Sequence, residues 1–172
     1  YDWCGGRVGL VAGGGNGGRP DGGQGIGQAI AERCGAASAT VVVNDVDLAS
    51  AQPVAERILA AGGDAMAVAA DVSDGDQVAS MFDAVEAAHG GVDVLVNNAG
   101  LISPMLHFFE GDEAWRRRII DVNLTGHFLC SQPAARMMAK AGGGSIIHMS
   151  SGGATRAHRA FPAYAPSTGG TR

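Results

Sequence analysis

The chain has 172 residues, of which 46% are hydrophobic and 17% are charged, and its formal net charge is -5 at pH 7. This length and balance suit one folded domain with a full core, and the negative charge offers no basic footprint for nucleic acid. The only basic run, Arg116 to Arg118, is predicted to be a solvated or interface helix face. No apolar stretch of 18 residues and no signal-peptide pattern is present, so we expect no membrane partner and a cytoplasmic location.

The three cysteines are Cys4, Cys34 and Cys130, and no two of them form a Cys-x-x-Cys pair. Their odd number and wide spacing favour reduced thiols over a disulfide framework. His127 and Cys130 fit one side of a helix, but no second pair of ligands accompanies them, so we predict no metal site.

Short apolar runs alternate with longer amphipathic stretches along the whole chain. Strands are predicted at 7–12, 39–44, 65–70, 92–97 and 145–149, and helices at 27–34, 49–61, 76–88 and 113–140. This alternation predicts the α/β class, with a doubly wound, Rossmann-like parallel sheet. With no internal repeat or linker, residues 1–172 are interpreted as a single dinucleotide-binding domain. Pro133 is expected to kink the long helix.

A glycine-rich turn follows the first predicted strand. Between Gly13 and the run Gly25-Ile26-Gly27, which opens the first helix, lie 11 residues. Glycines let the backbone approach a pyrophosphate whose charge faces the helix N-terminus. The predicted phosphate-binding residues are Gly13, Gln24, Gly25, Ile26 and Gly27.

Asp45 ends the second apolar run. A carboxylate at this place accepts both ribose hydroxyls and repels a 2′-phosphate, so NAD is predicted in preference to NADP. The alternative is a turn aspartate without a ligand.

Near the end of the chain, Ser151 precedes Tyr164 by 13 residues. The strand 145–149 places this serine at the carboxyl end of a sheet, where open α/β sheets bind ligands. Because Pro166 is tolerated only in the first turn of a helix, Tyr164 begins a helix and Thr168 lies one turn further on the same face. The serine and tyrosine form a proton-transfer site in outline.

Together with the glycine-rich turn and the run from Asn97 to Gly100, these residues resemble the short-chain dehydrogenase/reductase family over almost the whole chain. The resemblance implies hydride transfer between NAD and a small secondary alcohol or its ketone. Tyr164 would exchange the proton, Ser151 would hold the reacting oxygen, and Asn123 would support a proton relay. It also assigns Asp71 and Val72 to adenine, and Asn98, Ala99 and Gly100 to the ribose beside nicotinamide, whereas Asn97 ties neighbouring strands together.

Two departures from the family pattern bear on activity. Thr168 stands where the family has lysine, so the position supplies no cation to bring a tyrosine, with an ordinary pKa of about 10, into range. The glycine-rich turn has 11 residues where the family has three, and the extra residues either bulge outward or occupy the phosphate pocket. Two functions are therefore expected as alternatives, an NAD-dependent oxidoreductase or a catalytically silent domain that binds a nucleotide or a partner.

The fold of the family continues beyond the tyrosine helix, whereas this sequence stops at Arg172. We therefore expect the C-terminal strands to be missing and 145–149 to form a sheet edge, either because the chain is a fragment of such an enzyme or because a partner covers that edge. The family often pairs two helices across a dimer interface, so a homo-oligomer is among the expected states.

Overall fold

A computed structural model describes residues 4–16, 24–156 and 162–171. The strands are β1 (Val8–Ala12), β2 (Thr40–Asp45), β3 (Asp64–Ala69), β4 (Val94–Asn97) and β5 (Ser145–His148). The helices are α1 (Ile26–Ala36), α2 (Leu48–Ala60), α3 (Gly75–His89), α4 (Glu113–Ile120), α5 (Gly126–Ala141) and α6 (Tyr164–Gly169), with a π-helical segment at Asp121–Thr125 and a 3-10 turn at Gly152–Thr155.

All five strands are parallel, in the order β3-β2-β1-β4-β5. The chain winds outward from β1 to β3 and then crosses to β4 and β5, so the winding direction reverses between β1 and β4. Ala12 is in register with Asn44 on one side and with Asn97 on the other. The segments that follow these strands therefore meet in the crevice where sheets of this kind bind ligands.

Successive side chains of β1 enter two different layers of the core, as expected for a strand with helices on both faces. Leu10 packs in a cluster with Phe82 of α3, whereas Val11 packs in a second cluster with Val54 of α2. All four side chains are buried. The predicted α/β class and doubly wound parallel sheet are confirmed.

The predicted helix over 113–140 is a continuous helical run with one change of winding. In the segment Asp121–Thr125 the hydrogen bonds span five residues, and the Gly126 N–H donates to the Asp121 carbonyl. Such π-turns are wider than α-helical ones and are frequent at functional sites. The change of winding falls at Asp121–Thr125, whereas Pro133, where a kink is expected, lies inside α5.

β5 is an edge strand of the described sheet, as predicted for 145–149. Its Ile147 side chain is 46% exposed. No helix in the described part of the chain is both long and apolar enough to cross a membrane.

Candidate active site

A cavity of about 590 Å³ opens at the carboxyl ends of the parallel strands. Its volume lies in the range of small-molecule and cofactor sites. Gln24 and Ser151 lie beside this lining and not in it. The predicted site residues that line it are Gly13, Gly25, Ile26, Gly27, Asp45, Asp71, Val72, Asn98, Ala99, Gly100, Asn123, Tyr164 and Thr168.

The glycine-rich turn, the start of α1 and the end of β4 are in close contact. A Cβ on Gly27 would clash with the Gly13 carbonyl oxygen, and a Cβ on Gly13, whose φ is +68°, would lie 2.6 Å from the Ala99 Cα. The Asn98 side-chain amide donates to the same Gly13 oxygen at 2.8 Å. Glycine is therefore required at 13 and 27, and the backbone that these two residues contribute to the cavity wall forms a cradle that fits the pyrophosphate of a dinucleotide.

The two ends of the long glycine-rich turn lie side by side. The Asn16 N–H donates to the Ser50 carbonyl of α2 at 3.0 Å, while a Cβ on Gly25 would lie 3.6 Å from the Gly15 oxygen. Residues 17–23, which hold most of the insertion, lie outside the described residues. Gln24 on the far side donates to Glu32 of α1 at 2.7 Å, so its side chain is engaged away from the cavity.

Asp45 is the last residue of β2 and is half-buried beneath the glycine-rich turn. Burial raises the pKa of Asp45, although backbone N–H groups of Asp47, Val46 and Gly15 hydrogen-bond its carboxylate and oppose that rise. A Cβ on Gly15 would lie 2.5 Å from Asp45 Oδ2. The carboxylate is thus fixed in place where it faces the cavity.

Asp71 lies at the opposite wall, after β3. Its Oδ1 accepts hydrogen bonds from the Ser73 N–H at 2.9 Å and the Ser73 hydroxyl at 2.6 Å. Arg118 of α4 approaches Asp71 Oδ2 at 2.9 Å and also donates to the Ser73 hydroxyl at 2.6 Å. Burial by itself would raise the pKa of Asp71. The hydrogen bonds from Ser73 and Arg118 and the positive charge of Arg118 outweigh burial and hold the pKa of Asp71 below its usual value.

The arginine run was predicted to be a solvated helix face, and all three residues are indeed exposed. Arg117 fits that prediction, since it pairs with Glu113 of its own helix at 2.5 Å. The prediction is incomplete for Arg118, which lines the cavity. Its contact with Asp71 joins α4 to the segment that follows β3, a long-range contact that a charge run does not indicate.

Asn123 lies in the π-helical segment and is buried. Its Oδ1 accepts the Leu101 N–H at 2.6 Å, and its Nδ2 donates to the Leu101 carbonyl at 2.9 Å and to the Ser167 hydroxyl at 3.0 Å. Both ends of the amide are therefore used to hold the segment after β4 and the helix α6 in place.

Ser151 and Tyr164 flank the same small residue. Ser151 caps the 3-10 turn, and its Oγ accepts the Gly153 N–H at 3.1 Å. A Cβ on Gly153 would lie 3.4 Å from that Oγ and 3.6 Å from the Tyr164 ring. Tyr164 begins α6, as predicted from Pro166.

Thr168 is buried and lines the cavity one turn after the tyrosine. Its hydroxyl hydrogen is shared between the Tyr164 carbonyl at 3.1 Å and the Ala165 carbonyl at 3.2 Å, so it is turned back on its own helix. Of the described residues that line the cavity, Arg118 alone is an arginine or lysine, and it lies at the Asp71 end. Arg156 is exposed.

His127 was considered from the sequence only as a metal ligand, and its place in a second polar cluster at the cavity was not predicted. His127 lines the cavity, its Nε2 lies 3.3 Å from the Ala99 oxygen, and its ring stacks on that of His148 with centroids 5.4 Å apart. Burial lowers the pKa of His127. Asn97 of β4 contacts Nδ1 of His148, in the neighbouring strand β5, at 3.3 Å, which agrees with its predicted role of tying neighbouring strands together. It also donates to Ser131 of α5 at 3.0 Å, a contact that was not predicted. The sequence contains one indication of where His127 lies: it follows Asn123 by four residues, and residues four apart lie on the same face of a helix.

Comparison with known proteins agrees with this geometry. The family model for the short chain dehydrogenases matches residues 21–172. The chain belongs to the short-chain dehydrogenase/reductase family. Members of this family are oxidoreductases that use nicotinamide cofactors.

Curated relatives of this family include a cis-4-hydroxycyclohexanecarboxylate dehydrogenase of Sinomonas cyclohexanicum, 42% identical over 127 residues that cover 74% of this chain and 51% of the relative. An uncharacterized oxidoreductase of Thermotoga maritima is 39% identical over 168 residues, which cover 96% of this chain and 61% of the relative. The chain thus spans between about half and three-fifths of the length of these relatives.

Solved structures of the same family superpose closely on this fold. A short-chain dehydrogenase/reductase from Burkholderia xenovorans gives a TM-score of 0.89 at 36% identity, covering 97% of this chain and 65% of that protein. A metagenomic short-chain oxidoreductase in complex with NADP gives a TM-score of 0.86 at 35% identity, covering 97% of this chain and 72% of that protein.

Proposed function

We propose that the chain is the cofactor-binding and catalytic part of an NAD-dependent oxidoreductase that interconverts a small secondary alcohol and its ketone. The observation that carries this proposal is the placement of Ser151 and Tyr164 around Gly153, next to a cavity that runs from Tyr164 to Asp45 and Asp71. One crevice can therefore hold a dinucleotide at full length and leave its reactive end beside a proton donor.

The cofactor would be held by the glycine cradle and by Asp45 at the end of β2. The glycine cradle at 13 and 27 would hold the pyrophosphate, and Asp45 would accept the two hydroxyls of the adenosine ribose. The Asp45 carboxylate would repel a phosphate on that ribose, which supports NAD over NADP. The metagenomic oxidoreductase that binds NADP shares the fold, so this preference depends on the residue at the end of β2 and not on the architecture.

When bound, the nicotinamide accepts or releases the hydride. Tyr164 would give a proton to the substrate oxygen during reduction, or take it during oxidation. Ser151 would hold that same oxygen. Its Oγ accepts the Gly153 N–H at 3.1 Å, and a hydroxyl that accepts a hydrogen bond still has its own hydrogen to donate to the substrate.

A second function, silent nucleotide binding, is favoured by one specific observation. The Thr168 hydroxyl donates to the carbonyl oxygens of its own helix and carries no charge, so it gives a phenolate no electrostatic support. Both functions need the cofactor cradle, and only the first needs a reactive Tyr164. With either function, we propose that the chain works in the reducing cytoplasm, and the free thiols of its three cysteines support this location.

The deciding experiment is calorimetric titration of NAD and NADP into the purified chain, followed by a spectroscopic assay with a panel of secondary alcohols and ketones. A Tyr164→Phe variant, which keeps the ring and removes the hydroxyl, is the matched control. NAD binding with turnover that is lost in this variant supports the oxidoreductase. NAD binding with equal, background turnover in both proteins supports the silent domain, and absence of binding overturns both functions.

A further inference from the structure

Arg118 extends from the last turn of α4 to the wall of the cavity that Asp71 forms. Its guanidinium lies 2.9 Å from Asp71 Oδ2 and 2.6 Å from the Ser73 hydroxyl. The side chain of Arg118 is 49% exposed, compared with 21% for Asp71. Asp71 is therefore largely covered by protein, whereas about half of the Arg118 side chain is accessible, and both residues line the cavity.

The charge balance of the cavity depends on this arginine. Among the described residues that line it, Asp45 and Asp71 are acidic and Arg118 is the single arginine or lysine. A dinucleotide brings a negatively charged pyrophosphate into the same space, and two uncompensated carboxylates would repel it. Pairing with Arg118 removes most of the field of Asp71 while leaving the carboxylate ionised.

The ion pair also leaves Asp71 with hydrogen-bonding capacity. Its Oδ1 accepts two hydrogen bonds from Ser73, whereas its Oδ2 accepts one from Arg118 within the described part of the chain. A carboxylate oxygen can accept two hydrogen bonds. Oδ2 is thus held at a fixed position and has the capacity to accept a second hydrogen bond, such as one from the exocyclic amino group of an adenine.

We infer that Arg118 is a cofactor-binding determinant, which acts by fixing and neutralising Asp71 as the acceptor for the adenine end of the dinucleotide. This inference rests on the proposed cofactor site and adds to it a residue that none of the sequence motifs contains. Arg118 is a positioning residue, since it acts through Asp71.

The test is calorimetric titration of ADP-ribose, a ligand with the adenine and pyrophosphate but no reactive ring. Arg118→Leu is expected to weaken binding about fivefold, the order of a partly exposed ion pair. Arg117→Leu is the matched control, because it removes an adjacent, exposed arginine that pairs with Glu113 outside the cavity. It should bind ADP-ribose as the wild type does, and thermal unfolding should show that both variants remain folded.

A double-mutant cycle with Asp71→Asn separates positioning from a general charge effect. If Arg118 acts through Asp71, Arg118→Leu costs less affinity in the Asp71→Asn background than in the wild type. An equal cost in both backgrounds overturns the inference, as does unchanged affinity of Arg118→Leu while the wild type binds; in either case the proposed function stands. If the wild type itself binds no ADP-ribose, the inference and the proposed function both fail.

Discussion

The side-chain amide of Asn123 lies 3.0 Å from the hydroxyl of Ser167 and joins the π-helical segment to the helix that carries Tyr164. The same amide exchanges two hydrogen bonds with the backbone of Leu101, at 2.6 Å and 2.9 Å. A single buried side chain therefore holds together the three segments that border the reactive end of the cavity, and the relative position of Tyr164 depends on it.

Asn123→Ala should destabilise the chain by about 3 kcal/mol, because it leaves the N–H and carbonyl of the partly buried Leu101 without their partner and removes the buried bond to Ser167. Urea unfolding of the two proteins measures this difference. Gln52→Ala is the control, since Gln52 is exposed and its side chain donates to Glu56 in the same helix. A loss below about 0.5 kcal/mol for Asn123→Ala would show that the amide contributes little to the site.

Much of the fold follows from local patterns in the sequence. The apolar runs at 7–12 and 39–44 predicted β1 and β2 to within one residue at each end, because strands buried on both faces are continuous apolar runs. The same pattern predicted that Ser151 would follow the last strand. Asn123 was identified by its motif, but its partners lie 22 and 44 residues away, a separation that no periodicity encodes.

The contacts of Arg118 were beyond prediction for the same reason. A basic run in an acidic chain is usually solvated, and Arg117 behaves in that way. The ion pair between Arg118 and Asp71 spans 47 residues and joins α4 to the segment that follows β3. The π-helical segment was also missed, since one additional residue in a helical turn leaves the apolar pattern almost unchanged.

Gly27→Ala should abolish NAD binding and destabilise the chain. The new Cβ would meet the Gly13 carbonyl oxygen and come within 2.5 Å of the Asn98 amide, so the turn, the helix and β4 would have to separate. Calorimetry and thermal unfolding measure the two effects. Gly75→Ala provides the control, because Gly75 also lies in the first turn of a helix and a Cβ there would meet no atom within 4 Å. If both variants bind NAD as the wild type does, the cradle is not the pyrophosphate site.

Asp45→Asn should increase the stability of the folded chain at neutral pH while it weakens the binding of NAD. Burial raises the pKa of Asp45, so the folded chain binds the proton of this carboxyl more tightly than the unfolded chain does. The contribution of Asp45 to the free energy of unfolding therefore falls as pH rises from its unfolded pKa of about 3.9 through its folded pKa. An asparagine at this position cannot ionise, so the Asp45→Asn variant does not lose this stability and should have a larger free energy of unfolding than the wild type at pH 7. The difference should disappear below about pH 3.9.

The same Asp45→Asn variant should bind NAD more weakly and should discriminate less between NAD and NADP, because the repulsion of a 2′-phosphate is removed. Urea unfolding at pH 7 and pH 3 and titration with both dinucleotides check the two effects. Asp83→Asn, in an exposed residue of α3, controls for the loss of one surface charge. A variant that is less stable at pH 7 and unchanged in its NAD to NADP ratio would contradict both parts.

Thr168→Lys should raise turnover at neutral pH at least about tenfold and move the pH–rate profile to lower pH. Position 168 is buried, lines the cavity and lies one turn after Tyr164, so an ammonium group there would lie close to the phenol, and a nearby cation stabilises a phenolate. Thr168→Met adds similar length without charge, and it should leave turnover at the level of the wild type. If the lysine and methionine variants have equal rates, charge at this position does not limit the reaction, and another group must stabilise the phenolate of Tyr164.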